Sequence, residues 1–158
     1  MALTFTSLQT IAQKIIFLSR FFFRNCFETM ENKTHELQMK VRDYECDMEG
    51  IVNNANYQHY FEHARHEMCI ERGISFAELV EKNIYVVVAR VDIRYKRPLR
   101  SRDEFVVATT AERDGFKMLF HQKILLLPER QVCADATITT VVTVDGKLSR
   151  APELDKYF

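Results

Sequence analysis

An aspartate, a glycine three residues on, and an asparagine pair stand directly ahead of a long segment with an apolar stripe: Asp47, Gly50, Asn53 and Asn54. A carboxylate can attack a carbonyl carbon or activate a water. A helix N-terminus carries unpaired N–H groups and a partial positive charge, so it can polarise a carbonyl and stabilise the oxyanion formed on attack. One turn of chain could therefore hold a nucleophile or base beside an oxyanion hole. The plain alternative is an Asp that only caps the helix or meets its dipole.

Other residue groups offer rival chemistry. His59-Tyr60-Phe61-Glu62-His63 has the H-x-x-E-H spacing of inverted zinc peptidases, with His66 and Glu67 just beyond. Two His one turn apart share a helix face, but zinc needs a third protein ligand and none follows at a suitable place. These side chains are therefore read as the polar face of a helix, and no metal is expected. Glu62, beside the apolar stripe and three positions before Arg65, is expected to be partly buried and paired with it. Cys26, Cys46, Cys69 and Cys133 form no C-x-x-C pair, so zinc-ribbon and dithiol redox readings fail. Cys46 adjoins Asp47 but has no nearby His to activate it. Lys96, Arg97, Arg100 and Arg102 cluster about Pro98, where Arg forks could meet a phosphate or simply be solvated surface.

The elements that must position Asp47 are readable from periodicity. Tyr57, Tyr60, Phe61, Ala64 and Met68 recur at one-face helical spacing. Asn53 and Asn54 suit its N-cap and Gly73 suits a left-handed stop. Ser75 and Glu78 form a capping-box pattern, which predicts a second short helix from Phe76 to about Lys82. Leu37, Met39 and Val41 alternate with polar residues as a half-buried strand. A strand pattern runs from Val87 to Tyr95, and others cover 104–112, 116–127 and 132–144. Arg113-Asp114-Gly115 and Asp145-Gly146 are the turn signals between and after them. The order β, long α, short α, then four β predicts an α+β fold, with one helix on a five-stranded antiparallel sheet whose last three strands are neighbours.

Composition limits the alternatives. At 158 residues the chain suits one domain, and a formal net charge of +0 gives no basic footprint for a nucleic acid. Residues 1–29 differ from the rest: they hold six of the twelve Phe, three basic residues and one acid. Lys14 and Arg20 break the apolar run well short of a membrane span of about 18 residues, so no stable membrane insertion is expected. A polar start at Met30 favours 1–29 as an over-extended start ahead of a domain at 30–158. The alternatives are an organelle transit peptide and, after it, an amphipathic helix lying on a membrane. The cytoplasm is the expected location, or an organelle such as a plastid if the transit reading holds.

Asp47-x-x-Gly50-x-Val52 with Asn56-Tyr57, followed by Phe61-Glu62-His63-Ala64-Arg65, resembles the 4-hydroxybenzoyl-CoA thioesterase-like hotdog family. The wider string from Val41 to Glu67 is similar to small acyl carrier protein thioesterases of plant plastids and their bacterial relatives. The resemblance implies a sheet wrapped around one helix and pairing into a homodimer or homotetramer. It also implies hydrolysis of acyl thioesters of coenzyme A or acyl carrier protein, without a cofactor. By resemblance Asp47 is nucleophile or general base, the Asn54 backbone N–H polarises the carbonyl, and Gly50 permits the turn. Val52, Tyr57 and Phe61, with Tyr60 and the strand Tyr85–Val88, could line an acyl channel; plain core is the alternative. Several relatives carry His or an aromatic residue at Asn53-Asn54, so the acyl pocket is expected to differ from that of aromatic-acyl enzymes. A non-catalytic acyl-thioester-binding hotdog and a hotdog dehydratase remain as other readings.

Overall fold

The structure is a computed structural model and describes residues 34–158. The expectations for residues 1–29 lie outside the described residues. In chain order the elements are β1 (His35–Lys40), a 3-10 turn (Asp43–Glu45), α1 (Asn54–Glu71), α2 (Phe76–Glu81), β2 (Ile84–Tyr95), β3 (Glu104–Asp114), β4 (Lys117–Leu126), β5 (Gln131–Val144), β6 (Lys147–Ser149) and a C-terminal 3-10 helix (Pro152–Tyr157).

Local chemistry explains the boundaries. The Asn53 side chain accepts from the Ala55 N–H at 3.0 Å, satisfying one orphan donor of α1. Gly73, at φ +84°, turns the chain out of the helix, and the Ile74 N–H donates back to the Cys69 carbonyl. Ser75 Oγ accepts from the Glu78 N–H, as the capping pattern predicts. Asp145 and Gly146 both take positive φ, which is the turn type whose twist suits a two-residue hairpin. The other hairpin differs by one residue from expectation. Asp114 stays in β3 opposite Lys117, and Gly115-Phe116 are the two central residues. Only Gly115 there takes positive φ, at +58°, so the register follows the residue that tolerates it.

The sheet is antiparallel, in the order β1-β3-β4-β5-β2, with β6 on β5. The short strand β6 is a sixth beyond the five expected. It takes over Val142–Val144 of β5, where β4 has ended at Val141. Strand β2 lies at the far edge from β3, so residues 96–103 must cross back over β5 and β4. That crossing passes the start of α1. Leu99, fully buried, donates its N–H to the Tyr57 hydroxyl at 3.0 Å and accepts the Val52 N–H at 2.8 Å.

The core lies between α1 and the sheet. Tyr57, Tyr60, Phe61, Ala64 and Met68 meet Phe105, Val107, Met118, Phe120, Ile124 and Ile138. The stripe read from periodicity is thus the buried face. Arg65 joins it, and the expected partial burial of Glu62 is not found: Glu62 is exposed and Arg65 is buried. Arg65 is one turn beyond Phe61, whereas Glu62 is a further step of about 100° round the helix, away from the sheet. The Arg65 guanidinium donates to Gln122 Oε1 at 2.9 Å, and Gln122 Nε2 donates to Thr109 Oγ1 and to the Phe61 carbonyl. Burial pulls the Arg65 pKa down.

Four buried groups give the fold an alkaline limit. Burial raises the Cys69 thiol to about 11 from 9.0, and it also raises Cys133, Tyr57 and Tyr60. The folded state holds these protons after the unfolded chain has begun to lose them. Their contribution is complete below pH 9 and declines as pH rises through 9 to 11 for Cys69, and above 10 for the tyrosines. Thermal melts of the full chain should therefore fall steadily in Tm between pH 9 and 11. A flat profile over that range would contradict the burial of these groups.

Candidate active site

The loop that carries Asp47 is closed at its neck. Cys46 and Val52 form an antiparallel bridge, and the Asp47 N–H donates to the Ile51 carbonyl at 2.9 Å. Within the loop the Gly50 N–H donates to the Asp47 carbonyl at 3.0 Å, a four-residue turn. Gly50 sits at φ +71° with open space where a Cβ would stand, so its glycine answers to backbone conformation and not to crowding. Asp47 Oδ1 accepts from the Glu49 N–H at 3.0 Å, which fixes the side chain over its own turn. The carboxylate is half-buried, with Met48 and Glu49 exposed beside it.

Helix α1 begins immediately after this loop. Asn53 is the N-cap and Asn54 the first helical residue. Ala55 and Asn56 donate to the Asn53 side chain and carbonyl, respectively. Among the described residues the Asn54 N–H makes no hydrogen bond. Its carbonyl accepts from the Tyr95 hydroxyl at 3.1 Å, which ties the helix start to the end of β2. A closed turn bearing a carboxylate and a helix start with a free donor are thus adjacent in the fold as well as in sequence.

The remaining candidates fall elsewhere. Val52, Tyr57 and Phe61 are 3, 3 and 0% exposed and belong to the core between α1 and the sheet. Tyr85–Val88 are exposed on the edge strand β2. Of the basic cluster, Lys96 pairs with Asp135 and Arg97 with Gln131. Arg100 alone reaches the Asp47 loop, donating to the Gly50 carbonyl at 3.4 Å, while Arg102 is exposed.

His59 and His63 line a cleft of about 440 Å³ between β1 and α1, together with Lys40, Arg42, Glu45 and Tyr60. His63 pairs with Glu67 at 3.8 Å, and His66 packs on the Phe76 ring. Among the described residues no three His, Cys, Asp or Glu side chains converge as metal ligands. Glu45 is a residue that sequence reasoning did not single out. Its carboxylate Oε2 accepts from the Tyr60 hydroxyl at 2.8 Å and from the Arg42 N–H at 2.7 Å. Burial, and then this bond, push the Tyr60 phenol upward, so it remains a donor. The only prior signal was the position of Glu45 two residues before Asp47.

Residues 41–157 match the profile of the thioesterase-like superfamily. The long-chain acyl-CoA thioesterase FadM of Escherichia coli is 36% identical over 121 residues, covering 76% of this chain and 90% of FadM. The chloroplastic acyl-acyl carrier protein thioesterase ATL3 of Arabidopsis thaliana is 36% identical over 103 residues, 65% of this chain. The chain spans little more than half the length of such plant relatives, 54% for ATL3 and 60% for ATL2. A hypothetical protein of Aquifex aeolicus has the same fold in its crystal structure, with a TM-score of 0.72 at 28% identity, covering 78% of this chain and 98% of its own.

Proposed function

Because the chain belongs to the thioesterase-like superfamily, we propose that it hydrolyses acyl thioesters of coenzyme A or acyl carrier protein, releasing a carboxylic acid and a thiol. The observation that carries this reading is the half-buried Asp47 carboxylate in a closed turn directly ahead of a helix whose first N–H is unpaired. The thioester carbonyl oxygen would accept from the Asn54 N–H, where the helix dipole also favours negative charge. Asp47 would then attack the carbonyl carbon or take a proton from the attacking water. Gly50 holds the turn at the positive φ it needs. Thioester resonance is weak, so one carboxylate and one well-aimed donor suffice.

The acyl chain is assigned to the space between α1 and the sheet, against Val52, Tyr57 and Phe61. Those side chains are buried in the core cluster, so the chain enters only as the core parts. A long aliphatic acyl group, as in the name of FadM, fits this apolar lining better than a polar one. The exposed run Tyr85–Val88 on an edge strand is a surface that proteins cover. A second copy pairing along β2 would cover it and form a homodimer, with a homotetramer as the larger form. No helix among the described residues is long and apolar enough to cross a membrane. A cytoplasmic enzyme of fatty acid metabolism is the reading adopted, or a plastid one if residues 1–29 are a transit peptide.

The test is thiol release by the full chain from acyl-CoA esters of short, long and aromatic type, and from acyl carrier protein thioesters. Turnover with long aliphatic esters is expected. Binding of these esters without thiol release would favour the non-catalytic reading. Loss of water from a hydroxyacyl ester would favour a dehydratase.

A further inference from the structure

We propose that Glu45 is the positioning residue of this site: a single side chain and its own carbonyl hold the Asp47 loop in register with the start of α1. The inference rests on the reading of Asp47 and Asn54 given above. Glu45 is 7% exposed, which is unusual for a carboxylate and calls for partners. It has partners on both sides of the loop. Its backbone carbonyl accepts from the Asn53 N–H at 3.0 Å and from Asn56 Nδ2 at 2.7 Å. Its carboxylate Oε2 accepts from the Arg42 N–H and the Tyr60 hydroxyl, and Arg42 Nη1 stands 3.4 Å from Oε1.

These bonds join four places: the exit of β1, the N-cap, and the first and second turns of α1. The loop 46–52 hangs between the residue that accepts these bonds and the N-cap that donates one of them. The carboxylate of Asp47 is two residues from this anchor, and the Asn54 N–H is one residue from the N-cap. With the anchor intact, the carboxylate and the donor keep a fixed separation. When the carboxylate of Glu45 is removed, Tyr60 and Arg42 lose their shared acceptor, and the 3-10 turn is free to shift against the helix. The reacting groups themselves remain present, so the effect falls on alignment and not on binding.

Both short bonds go to the same oxygen, which makes a clean contrast available. A Gln at position 45 can present its Oε1 to Tyr60 and the Arg42 N–H, while Ala presents nothing. In the full chain, Glu45→Ala is expected to lower kcat for thioester hydrolysis by about 100-fold, the scale of an ångström-sized misplacement, with KM within about threefold. Glu45→Gln is expected to keep kcat within about tenfold of the parent. Tyr60→Phe removes one of the two donors, keeps the ring, and should fall between them. It also covers the case in which Glu45→Ala does not fold. Amide hydrogen exchange over residues 46–54, read without substrate, should accelerate in Glu45→Ala and not in Glu45→Gln. A structural role alone would lower Tm but leave kcat of the folded fraction unchanged. The proposal is overturned by parental kcat in folded Glu45→Ala or in Tyr60→Phe, by a loss confined to KM, or by Glu45→Gln as impaired as Ala. An inactive parent chain with the same exchange contrast would sink the thioesterase reading and leave the anchor standing.

Discussion

Asp47→Asn is expected to lower kcat by about 10²–10⁴-fold, the usual share of a positioned base, without unfolding the protein. The two side chains are nearly the same shape. Among the described residues Asp47 Oδ1 accepts only from the Glu49 N–H, and an Asn oxygen can accept that bond. The backbone bonds that close the loop do not involve the side chain. Stability should therefore stay within about 0.5 kcal/mol of the parent, as for substitutions outside the core that break no hydrogen bond. What changes is the charge and the lone pair available for attack or for proton removal. Parallel rates from parent and variant, on esters that the parent does hydrolyse, would remove Asp47 from the mechanism. Attention would then turn to a water held by other groups at the helix start.

Phe61→Ala should be the most costly single truncation near the site. Phe61 is fully buried at the centre of the stripe that α1 lays on the sheet. Removing a buried Phe leaves a cavity and costs about 3–5 kcal/mol, against a total domain stability of about 5–15 kcal/mol. Urea denaturation of the full chain measures this directly. The backbone carbonyl of Phe61 still receives Gln122 Nε2, so the loss reports packing and not that hydrogen bond. A loss under about 1 kcal/mol would mean that the surroundings readily fill the space, which is far below the usual range for such a site. If the variant folds, the new volume lies where the acyl chain is assigned, and preference should move toward bulkier acyl groups.

Arg65, and not Glu62, is the charged side chain that α1 buries. A guanidinium on a long apolar stem can lie along a core and still place its head on an acceptor. Gln122 is that acceptor, and it lies 57 residues away in sequence. The spacing puts Arg65 on the buried face, one turn beyond Phe61, but its charge argues against the inside, and the acceptor that permits burial belongs to β4.

The chain by itself determined whatever depends on neighbours within a few residues. The face of α1 followed from Tyr57, Tyr60, Phe61, Ala64 and Met68, because helical geometry fixes which side chains share a side. The cap at Asn53, the stop at Gly73 and the turn at Asp145-Gly146 followed from side-chain oxygens and positive φ, which are local properties. The position of Asp47 just ahead of the helix was legible for the same reason. Only the tertiary structure decided how distant segments met. No short turn links β2 to its neighbours, so pattern alone could not say that it would pair with β5 at the edge. That choice sends residues 96–103 across the start of α1 and brings Leu99 to Tyr57 and Arg100 to Gly50. Glu45 was equally silent in the sequence: its carboxylate partner Tyr60 is 15 residues away, and its burial depends on α1 docking over the turn. Periodicity encodes which face an element buries; the pairing of faces is settled by the packing of the whole sheet around one helix.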